Sequence, residues 1–340
     1  MDGGYAYKAS QAVADLVQRW PDHPQTRIAQ GQLLYNLERD YAPALAHFEA
    51  ARAQLPGDVE LLRSISACLK RLGQDQAFLE TAKHVVELDP ESVIAIGELV
   101  LALLANQRLD EAVTTAERAL ERFPTERYAR LAVMFAKLAR DADISVVLAL
   151  APDLREAMIA RFVQGNIDAL LPQVGAKPPK NYGGRDTRAP LQQIELLQLA
   201  GRGAEAKAWL EANGPSAVSA RALAENSLTP AFQKAVTRGH LAYWAALSGE
   251  TTLAREYLKQ AQATPATDDR ARFYWFLSAA ERRLGNAEAA WQLIQPYVGT
   301  GELDSLSHGE LRAFKSYYDK VYGKSPSYQA YMARIAREKK

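Results

Sequence analysis

The sequence predicts an all-α protein built as a solenoid of stacked helical hairpins. Four prolines, at positions 21, 56, 90 and 124, recur 35, 34 and 34 residues apart, and each follows an alanine-rich amphipathic segment. A period of about 34 residues is typical of repeated helix-turn-helix units, which bury their apolar faces only by stacking on one another. The composition, 48% hydrophobic and 24% charged, is that of an ordinary globular protein.

The second helix of each predicted repeat carries the clearest pattern. Its apolar residues are spaced 4 and 3 apart, which places them on one helix face, and a proline follows five residues later. The proline ends the helix because it has no N–H to donate and its ring clashes with the preceding turn. The four copies are Ala9, Val13, Leu16 and Pro21; Ala44, Phe48, Ala51 and Pro56; Phe78, Ala82, Val85 and Pro90; and Ala112, Ala116, Ala119 and Pro124.

The first helix of each repeat is predicted from a second apolar periodicity upstream of these segments. Gly73 stands between the two helices of its repeat, where the chain must reverse its direction. The two best examples of this first-helix pattern are Leu62, Ile65, Ser66 and Leu69, and then Ile96, Leu99, Val100 and Leu103.

Residues 8–124 resemble the tetratricopeptide repeat family, and residues 235–298 resemble it with a looser period. Gly31, Ser66 and Val100 stand near the family's small eighth residue, and the closing prolines match its thirty-second position. The resemblance implies a right-handed α-solenoid. The residues that carry it in the second stretch are Leu241, Ala242, Gly249, Ala254, Leu258 and Ala261, followed by Leu277, Ser278, Gly285, Ala290 and Ile294.

The predicted domain organisation is an amino-terminal array over residues 1–171, a linker or loop over 172–190, and a looser array with a terminal helical cap over 191–340. The middle segment contains four prolines and three glycines and has a net charge of +3. Two interpretations remain open, a basic docking loop for an acidic partner and, favoured here, a solvated linker.

The sequence contains no motif that predicts a catalytic or metal-binding site. The five histidines are far apart, no H-E-x-x-H or G-x-S-x-G motif occurs, and Gly323-Lys324-Ser325 lacks the first glycine of a phosphate loop. Cys68 is the only cysteine, so no internal disulfide or cysteine-based zinc site is expected. The sequence therefore predicts no enzyme activity, no catalytic residues, no cofactor and no metal. A net charge of +1 argues against general nucleic-acid binding.

The resemblance also implies a binding groove, lined by the first helix of each repeat. The family's clamp for a terminal carboxylate is not expected, because Arg63 is followed four residues later by Ala67 instead of Asn. The candidate partner-binding residues are Gln32, Tyr35, Arg63, Lys70, Glu98, Phe135, Tyr243, Arg272, Trp275, Arg282 and Arg283.

The run Phe273-Tyr274-Trp275-Phe276 leaves a choice open. Four consecutive aromatic residues point around a whole helix, so they cannot all face one core. One hypothesis gives Trp275 to a partner, together with nearby arginines. The favoured alternative is that the tyrosine-rich carboxyl-terminal segment covers the exposed rings.

The predicted function is a non-catalytic scaffold that binds a peptide segment or a partner subunit, within a larger and, from its Ala- and Arg-rich composition, bacterial assembly. The alternatives are a peptide-gated regulator, or an accessory repeat domain of an enzyme or of a secretion or envelope complex. No apolar run reaches the length of a membrane span, and the first residues do not resemble a signal peptide. We expect a cytoplasmic location, or a periplasmic one if an upstream segment has been removed. The sequence leaves the oligomeric state open.

Overall fold

The protein is all-α in every part that its structure, a computed structural model, describes. The described residues are 2–152, 155–170, 188–212, 214–227, 229, 231–263, 270–298 and 307–337, and these ranges contain helices and turns but no strand. The predicted fold class of helix-turn-helix repeats is therefore confirmed. Within the same ranges, no helix is both long and apolar enough to cross a membrane.

The chain divides into two compact units. The helices up to Asp141 belong to the first unit, and the helices that begin at Ile144 or later belong to the second. The predicted domain boundaries at 171 and 191 stay a prediction. Of the predicted linker, residues 172–187 lie outside the described residues, together with the basic side chains assigned to it, and residues 188–190 open a helix.

In its described residues, the first unit consists of eight α-helices that pair in sequence order. The chain forms hairpins from the second and third, the fourth and fifth, and the sixth and seventh helices, and each hairpin packs on the next. The helices are α1 (Asp2–Arg19), α2 (Pro24–Leu33), α3 (Tyr41–Arg52), α4 (Val59–Arg71), α5 (Asp75–Leu88), α6 (Val93–Ala105), α7 (Leu109–Arg122) and α8 (Arg127–Asp141).

Local capping explains where these helices begin. The carboxylate of Asp58 accepts a hydrogen bond from the Leu61 amide (3.0 Å), and the Ser92 hydroxyl accepts one from Ala95 (3.3 Å), at the starts of α4 and α6. Each of these side chains satisfies an amide that has no partner within the first helical turn. All four prolines of the repeat pattern lie in or beside the turns between repeats, as predicted.

The predicted apolar face of the second helices lies in the core of the first unit. The nine repeat positions on α3, α5 and α7 are at most 4% exposed. The predicted copy on α1 differs, because Ala9 is exposed and Val13 and Leu16 are only half-buried. At the eighth repeat position, Gly31 lets the ring of Phe48 approach the α2 backbone closely.

The second unit also consists of helices joined by short turns in its described residues. Hairpins form between α14 and α15 and between α16 and α17, and α14 packs on α16, so stacked hairpins are also present in this unit. The twelve helices are α9 (Ile144–Leu150), α10 (Arg155–Val163), α11 (Arg188–Leu199), α12 (Gly203–Ala212), α13 (Gly214–Glu225), α14 (Ala231–Leu247), α15 (Thr251–Gln262), α16 (Arg270–Arg283), α17 (Ala287–Ile294), α18 (His308–Ala313), α19 (Lys315–Tyr322) and α20 (Pro326–Arg337).

Two glycines make the turns of these hairpins. Gly249 and Gly285 have φ angles of +82° and +88°, a backbone conformation that side-chain-bearing residues rarely adopt. The predicted repeat residues around them are buried, including Ala254, Leu277 and Ala290.

The carboxyl-terminal helices α19 and α20 pack against α17 through aromatic rings. Trp291 is fully buried and meets the rings of Tyr322, Tyr328 and Tyr331 at centroid distances of 5.6, 5.1 and 5.3 Å. Edge-to-face packing of this kind adds stability beyond simple burial. The tyrosine-rich segment thus closes the hydrophobic core of the second unit at α17.

Candidate functional site

The first unit contains a solvent-open cavity of about 230 Å³ between α2, α3, α4 and α6, here called the Glu98 cavity. Phe48 is among the residues that line it, although its side chain is only 1% exposed. Its lining residues are Gln32, Tyr35, Asn36, Phe48, Glu60, Arg63, Ser64, Ala67 and Glu98.

A local change of helix type shapes one wall of this cavity. After α2 the chain continues as a π-helical segment, Leu34–Glu38, which ends at Arg39 with a φ angle of +57°. Tyr35 and Asn36 belong to this wider turn, and the Tyr35 ring rests on the buried Tyr41 ring at 5.0 Å. Single π-turns of this kind are common at functional sites.

Three charged side chains form an ion cluster at the cavity. The Arg63 guanidinium donates through Nη1 to Glu60 Oε1 at 2.9 Å, and its Nε lies 3.8 Å from Glu98 Oε2. The second distance exceeds hydrogen-bond length, and Arg63 Nε is buried without a hydrogen-bond partner. Arg63 therefore neutralises the two carboxylates without hydrogen-bonding to Glu98 through Nε.

Glu98 is the charged residue that is most affected by this environment. It is the only charged residue in α6, whose other residues are apolar, and its side chain is 24% exposed. Burial raises the pKa of Glu98 above its usual value, Glu60 adds to this, and the opposing charges of Lys70 and Arg63 do not fully compensate. A partly buried carboxylate with incomplete pairing is a candidate for binding a ligand.

The structure brings four predicted site residues together. Gln32, Tyr35, Arg63 and Glu98 all line the Glu98 cavity, although they come from four different helical segments. Lys70 does not line it, and its ammonium lies 6.0 Å from the centroid of the Phe78 ring. Phe135 is a half-buried residue of α8 and is also not part of the cavity.

The predicted groove residues of the second unit are in a different environment from the one expected. The prediction placed Tyr243, Trp275 and Arg282 on an open groove, whereas the structure buries all three in the core. The reason is that α11 and α19 cover this part of α14 and α16, which the repeat pattern did not show. The alternative hypothesis, that the carboxyl-terminal tyrosines cover the aromatic run, stays a prediction, because the contacts of Tyr322 are with Arg282 and Ser278, which follow that run on α16.

A buried ion pair lies at the centre of this second cluster. Both Glu195 oxygens accept from the Arg282 guanidinium, at 2.9 and 2.6 Å, and Glu195 Oε2 also accepts from the Tyr243 hydroxyl at 2.7 Å. Burial by itself would raise the pKa of Glu195, but the Arg282 charge and these hydrogen bonds lower it below its usual value. Trp275 packs edge-on against Tyr243 at 5.7 Å. Glu195, Arg282 and Tyr243 therefore belong to one buried hydrogen-bonded network of the core.

The remaining two candidates do not join this network as predicted. Arg283 is half-buried and donates to Gln198 Oε1 at 2.6 Å. Arg272 lies in α16, but its side chain falls outside the described residues.

Sequence reasoning missed Glu195 and a second cavity. Glu195 is the single carboxylate of α11, just as Glu98 is in α6, and a lone carboxylate in an otherwise uncharged stretch of helix was the available signal. The second cavity, of about 570 Å³, lies within the second unit between α11, α12, α13, α14 and the turn that precedes α15. Its lining includes Lys207, Leu210, Val218, Arg221, Trp244 and Glu250, none of which was predicted.

Among the described residues, no group of three or more His, Cys, Asp and Glu side chains is arranged to hold a metal ion. The cysteine is also unsuited to chemistry, because burial raises the pKa of the Cys68 thiol to about 12.

The comparison with solved structures matches the chain, whereas two other comparisons do not. No family model matches the chain. No curated protein matches it. Among solved structures, a monomeric mutant of IFIT1 with m7Gppp-AAAA is 14% identical with a TM-score of 0.42, and the match covers 92% of this chain and 66% of that one. A second monomeric IFIT1 mutant, with Gppp-AAAA, is 14% identical with a TM-score of 0.41, over 98% of this chain and 76% of that one.

The present chain thus spans just under two thirds of the first IFIT1 structure. At this level of similarity neither structure bears on what the chain binds. The fold is a tetratricopeptide-like helical repeat. What the site binds depends on the chemistry of its own residues.

Proposed function

We propose that the protein is a non-catalytic scaffold whose first unit binds an extended peptide segment of another protein, with one peptide side chain in the Glu98 cavity. The single observation that carries this proposal is the meeting of Gln32, Tyr35, Arg63 and Glu98 in one solvent-open cavity. In the family that the repeats resemble, residues at these positions face the groove.

The size of the cavity supports a side chain as the occupant. Its volume of about 230 Å³ lies below the roughly 300–1,000 Å³ of pockets that enclose drug-sized molecules. A single amino-acid side chain fits this volume, and the rest of the peptide would lie outside it. The combination of one aromatic ring with several polar groups is typical of the anchor sites of protein interfaces.

The cavity chemistry supports binding over catalysis. Its charged residues are Glu60, Arg63 and Glu98, and no histidine or cysteine is among its lining residues. The serine hydroxyl of the lining, that of Ser64, donates to the backbone oxygen of Glu60 at 2.9 Å. No pair of a nucleophile and a base is therefore present in the lining.

The charge of the first unit supports a peptide over a nucleic acid. Residues 1–141 contain 16 Lys and Arg against 20 Asp and Glu, so the net charge is −4. Binding of a phosphate backbone depends on an excess of basic groups. A phosphate next to Glu60 and Glu98 would be repelled.

The test is selection of a random-peptide display library on the full chain, followed by fluorescence-anisotropy titration of the enriched peptides. We expect Tyr35→Ala to weaken the selected peptides about tenfold or more, as truncating an aromatic anchor does. The matched control is Tyr7→Ala, which removes a 63% exposed tyrosine of α1 outside the cavity.

Two results would contradict the proposal. One is that no peptide is enriched, and the other is that Tyr35→Ala and Tyr7→Ala affect the enriched peptides equally. A single-stranded RNA oligonucleotide is titrated alongside. If it binds, and Tyr35→Ala abolishes this binding, the ligand is RNA and the peptide proposal is wrong.

A further inference from the structure

The Glu98 carboxylate lacks a hydrogen-bond donor within the described part of the chain. Its nearest cationic group is Arg63 Nε at 3.8 Å, and Arg63 donates through Nη1 to Glu60 instead. Carboxylates that are removed from water normally accept hydrogen bonds from charged donors, at about 2.7–2.9 Å. At Glu98 this donor position is open toward the cavity.

Other acceptor groups surround the same space. The side-chain amides of Gln32 and Asn36 make no hydrogen bond within the described part of the chain, so their oxygens are available to a ligand. The half-buried ring of Tyr35 offers apolar surface at which the aliphatic stem of a long side chain can pack, whereas Phe48 is only 1% exposed. A cation near an aromatic face gains further attraction.

The net charge of the cavity lining also favours a cation. The charged groups that line the cavity are two carboxylates and one guanidinium, a net charge of −1, inside a unit whose net charge is −4. An incoming carboxylate would meet Glu60 and Glu98 together with the one arginine. An incoming cation gains from both carboxylates and is opposed by Arg63 in the lining and by Lys70 outside it, whose charge also acts on Glu98.

From these contacts we infer that the side chain bound in the Glu98 cavity is cationic, a lysine or arginine of the partner peptide that donates to Glu98. This inference rests on the proposed function, because it names the chemistry of the side chain that the proposed site takes. The ligand class is therefore a basic peptide segment. Arginine has the better shape, because its planar guanidinium can donate two parallel hydrogen bonds to one carboxylate.

The experiment uses three small probes of equal size class on the full chain. N-acetyl-arginine methylamide, its neutral citrulline analogue and N-acetyl-glutamate methylamide are titrated while the backbone amide NMR signals of the lining residues are followed. We expect the arginine probe to shift these signals, and the citrulline probe to bind about tenfold more weakly because it lacks the charge.

Two variants connect the effect to Glu98. Glu98→Gln keeps the size of the side chain and removes its charge, and we expect the affinity for the arginine probe to fall about tenfold. The control is Glu80→Gln on α5, an exposed glutamate that accepts from Gln76 at 2.9 Å, which should leave the affinity unchanged. If Glu98→Gln does not fold, Glu60→Gln at the exposed edge of the cavity replaces it, with a smaller expected loss.

The outcomes separate this inference from the proposed function. Equal binding of citrulline and arginine, or tighter binding of glutamate, overturns the cationic inference while the cavity remains a side-chain site. No shift with any probe also overturns it, and the peptide selection then judges the proposed function by itself. Enriched peptides that require Tyr35 but contain no basic residue would have the same meaning.

Discussion

The Arg282 guanidinium and the Glu195 carboxylate form a two-pronged ion pair in the core of the second unit, although 86 residues lie between them in sequence. Their side chains are 3% and 1% exposed. The pair connects α11 to α16, while Tyr243 on α14 and Tyr322 on α19 hydrogen-bond to its two members. Four helices of the second unit are thus joined by one polar network, which specifies their packing.

Removing one member of this pair should be costly. Glu195→Gln leaves the Arg282 charge buried without an opposing charge, and we expect the free energy of unfolding to fall by about 3–5 kcal/mol. Urea denaturation followed by tryptophan fluorescence measures it, because four of the five tryptophans lie in the second unit. Glu205→Gln is the control, since it removes a partner of Arg202 at a solvent-exposed pair and should cost about 0–1 kcal/mol. Equal losses in the two variants would show that the buried pair stabilises the protein no more than the Arg202–Glu205 pair does.

Gly31 and Gly97 offer a matched pair of helix glycines in the first unit. A Cβ atom at Gly31 would stand 2.5–2.8 Å from three ring atoms of Phe48, so Gly31→Ala forces the ring to move. We expect a loss of about 1–3 kcal/mol, typical of overpacking. At Gly97 a Cβ would meet nothing within 4 Å, and Gly97→Ala should instead stabilise the protein by about 0.5–1 kcal/mol through its higher helix propensity.

Thermal unfolding of the two alanine variants beside the wild-type protein tests the opposite signs. Because Phe48 also lines the Glu98 cavity, Gly31→Ala should in addition weaken any peptide that binds there. If both variants changed the melting temperature in the same direction, the close approach of Phe48 to Gly31 would be wrong.

The repeats were predictable because their information is local. Ala44, Phe48 and Ala51 show their common face by spacing alone, and Pro56 marks the end of the same helix. The groove positions of the first unit came from the family resemblance, and the structure brings Tyr35 and Glu98 together in one cavity. Helix periodicity and turn residues act over a few residues and leave a direct trace in the sequence.

The second unit was less predictable because its decisive contacts are not local. Nothing in the spacing of α16 indicates that Glu195 neutralises Arg282, or that Tyr322 of α19 accepts a hydrogen bond from it. Tertiary packing can bury an arginine that a repeat pattern places on a surface, if a distant carboxylate compensates its charge. The π-turn that carries Tyr35 was likewise missed, since it has no sequence pattern of its own.

Glu288 should make the stability of the carboxyl-terminal helix depend on pH. It accepts from the Ser325 hydroxyl at 2.6 Å, and from the amide (3.2 Å) and the hydroxyl of Ser327, at the start of α20. The hydrogen bonds from Ser325, then those from Ser327, lower the pKa of Glu288 to about 2. The stabilisation is therefore present above the usual carboxyl pKa of about 4.3, and is lost as the pH falls from there toward 2.

Comparison of Glu288→Gln with the wild-type protein tests this dependence. We expect the variant to be less stable at neutral pH, and the difference to shrink as the solution is acidified, in denaturant unfolding followed by near-ultraviolet circular dichroism of the tyrosines. Glu256→Gln, at an exposed glutamate of α15 that accepts from Gln260, should show no such dependence. A difference between Glu288→Gln and wild type that stays constant over the acid range would contradict the assignment.

Cys68 should report the opening of the first unit. Its thiol is fully buried on α4, and burial raises its pKa to about 12, so both access and the reactive thiolate are missing in the folded state. We expect a thiol reagent at mildly alkaline pH to label Cys68 only as fast as the unit opens, and at once in denaturant. The control is Ser64→Cys in a Cys68→Ala background, which places a thiol one turn away on the wall of the Glu98 cavity, where it should react rapidly.

A bound peptide then affects the two cysteines in different ways. At Ser64→Cys it blocks the reagent directly, whereas at Cys68 it slows labelling because binding to the folded state reduces the opened population. Protection at Cys68 without protection at position 64 would mean that the peptide stabilises the unit from a site elsewhere. Protection at both positions, in proportion to peptide affinity, is the result expected if the Glu98 cavity is the binding site.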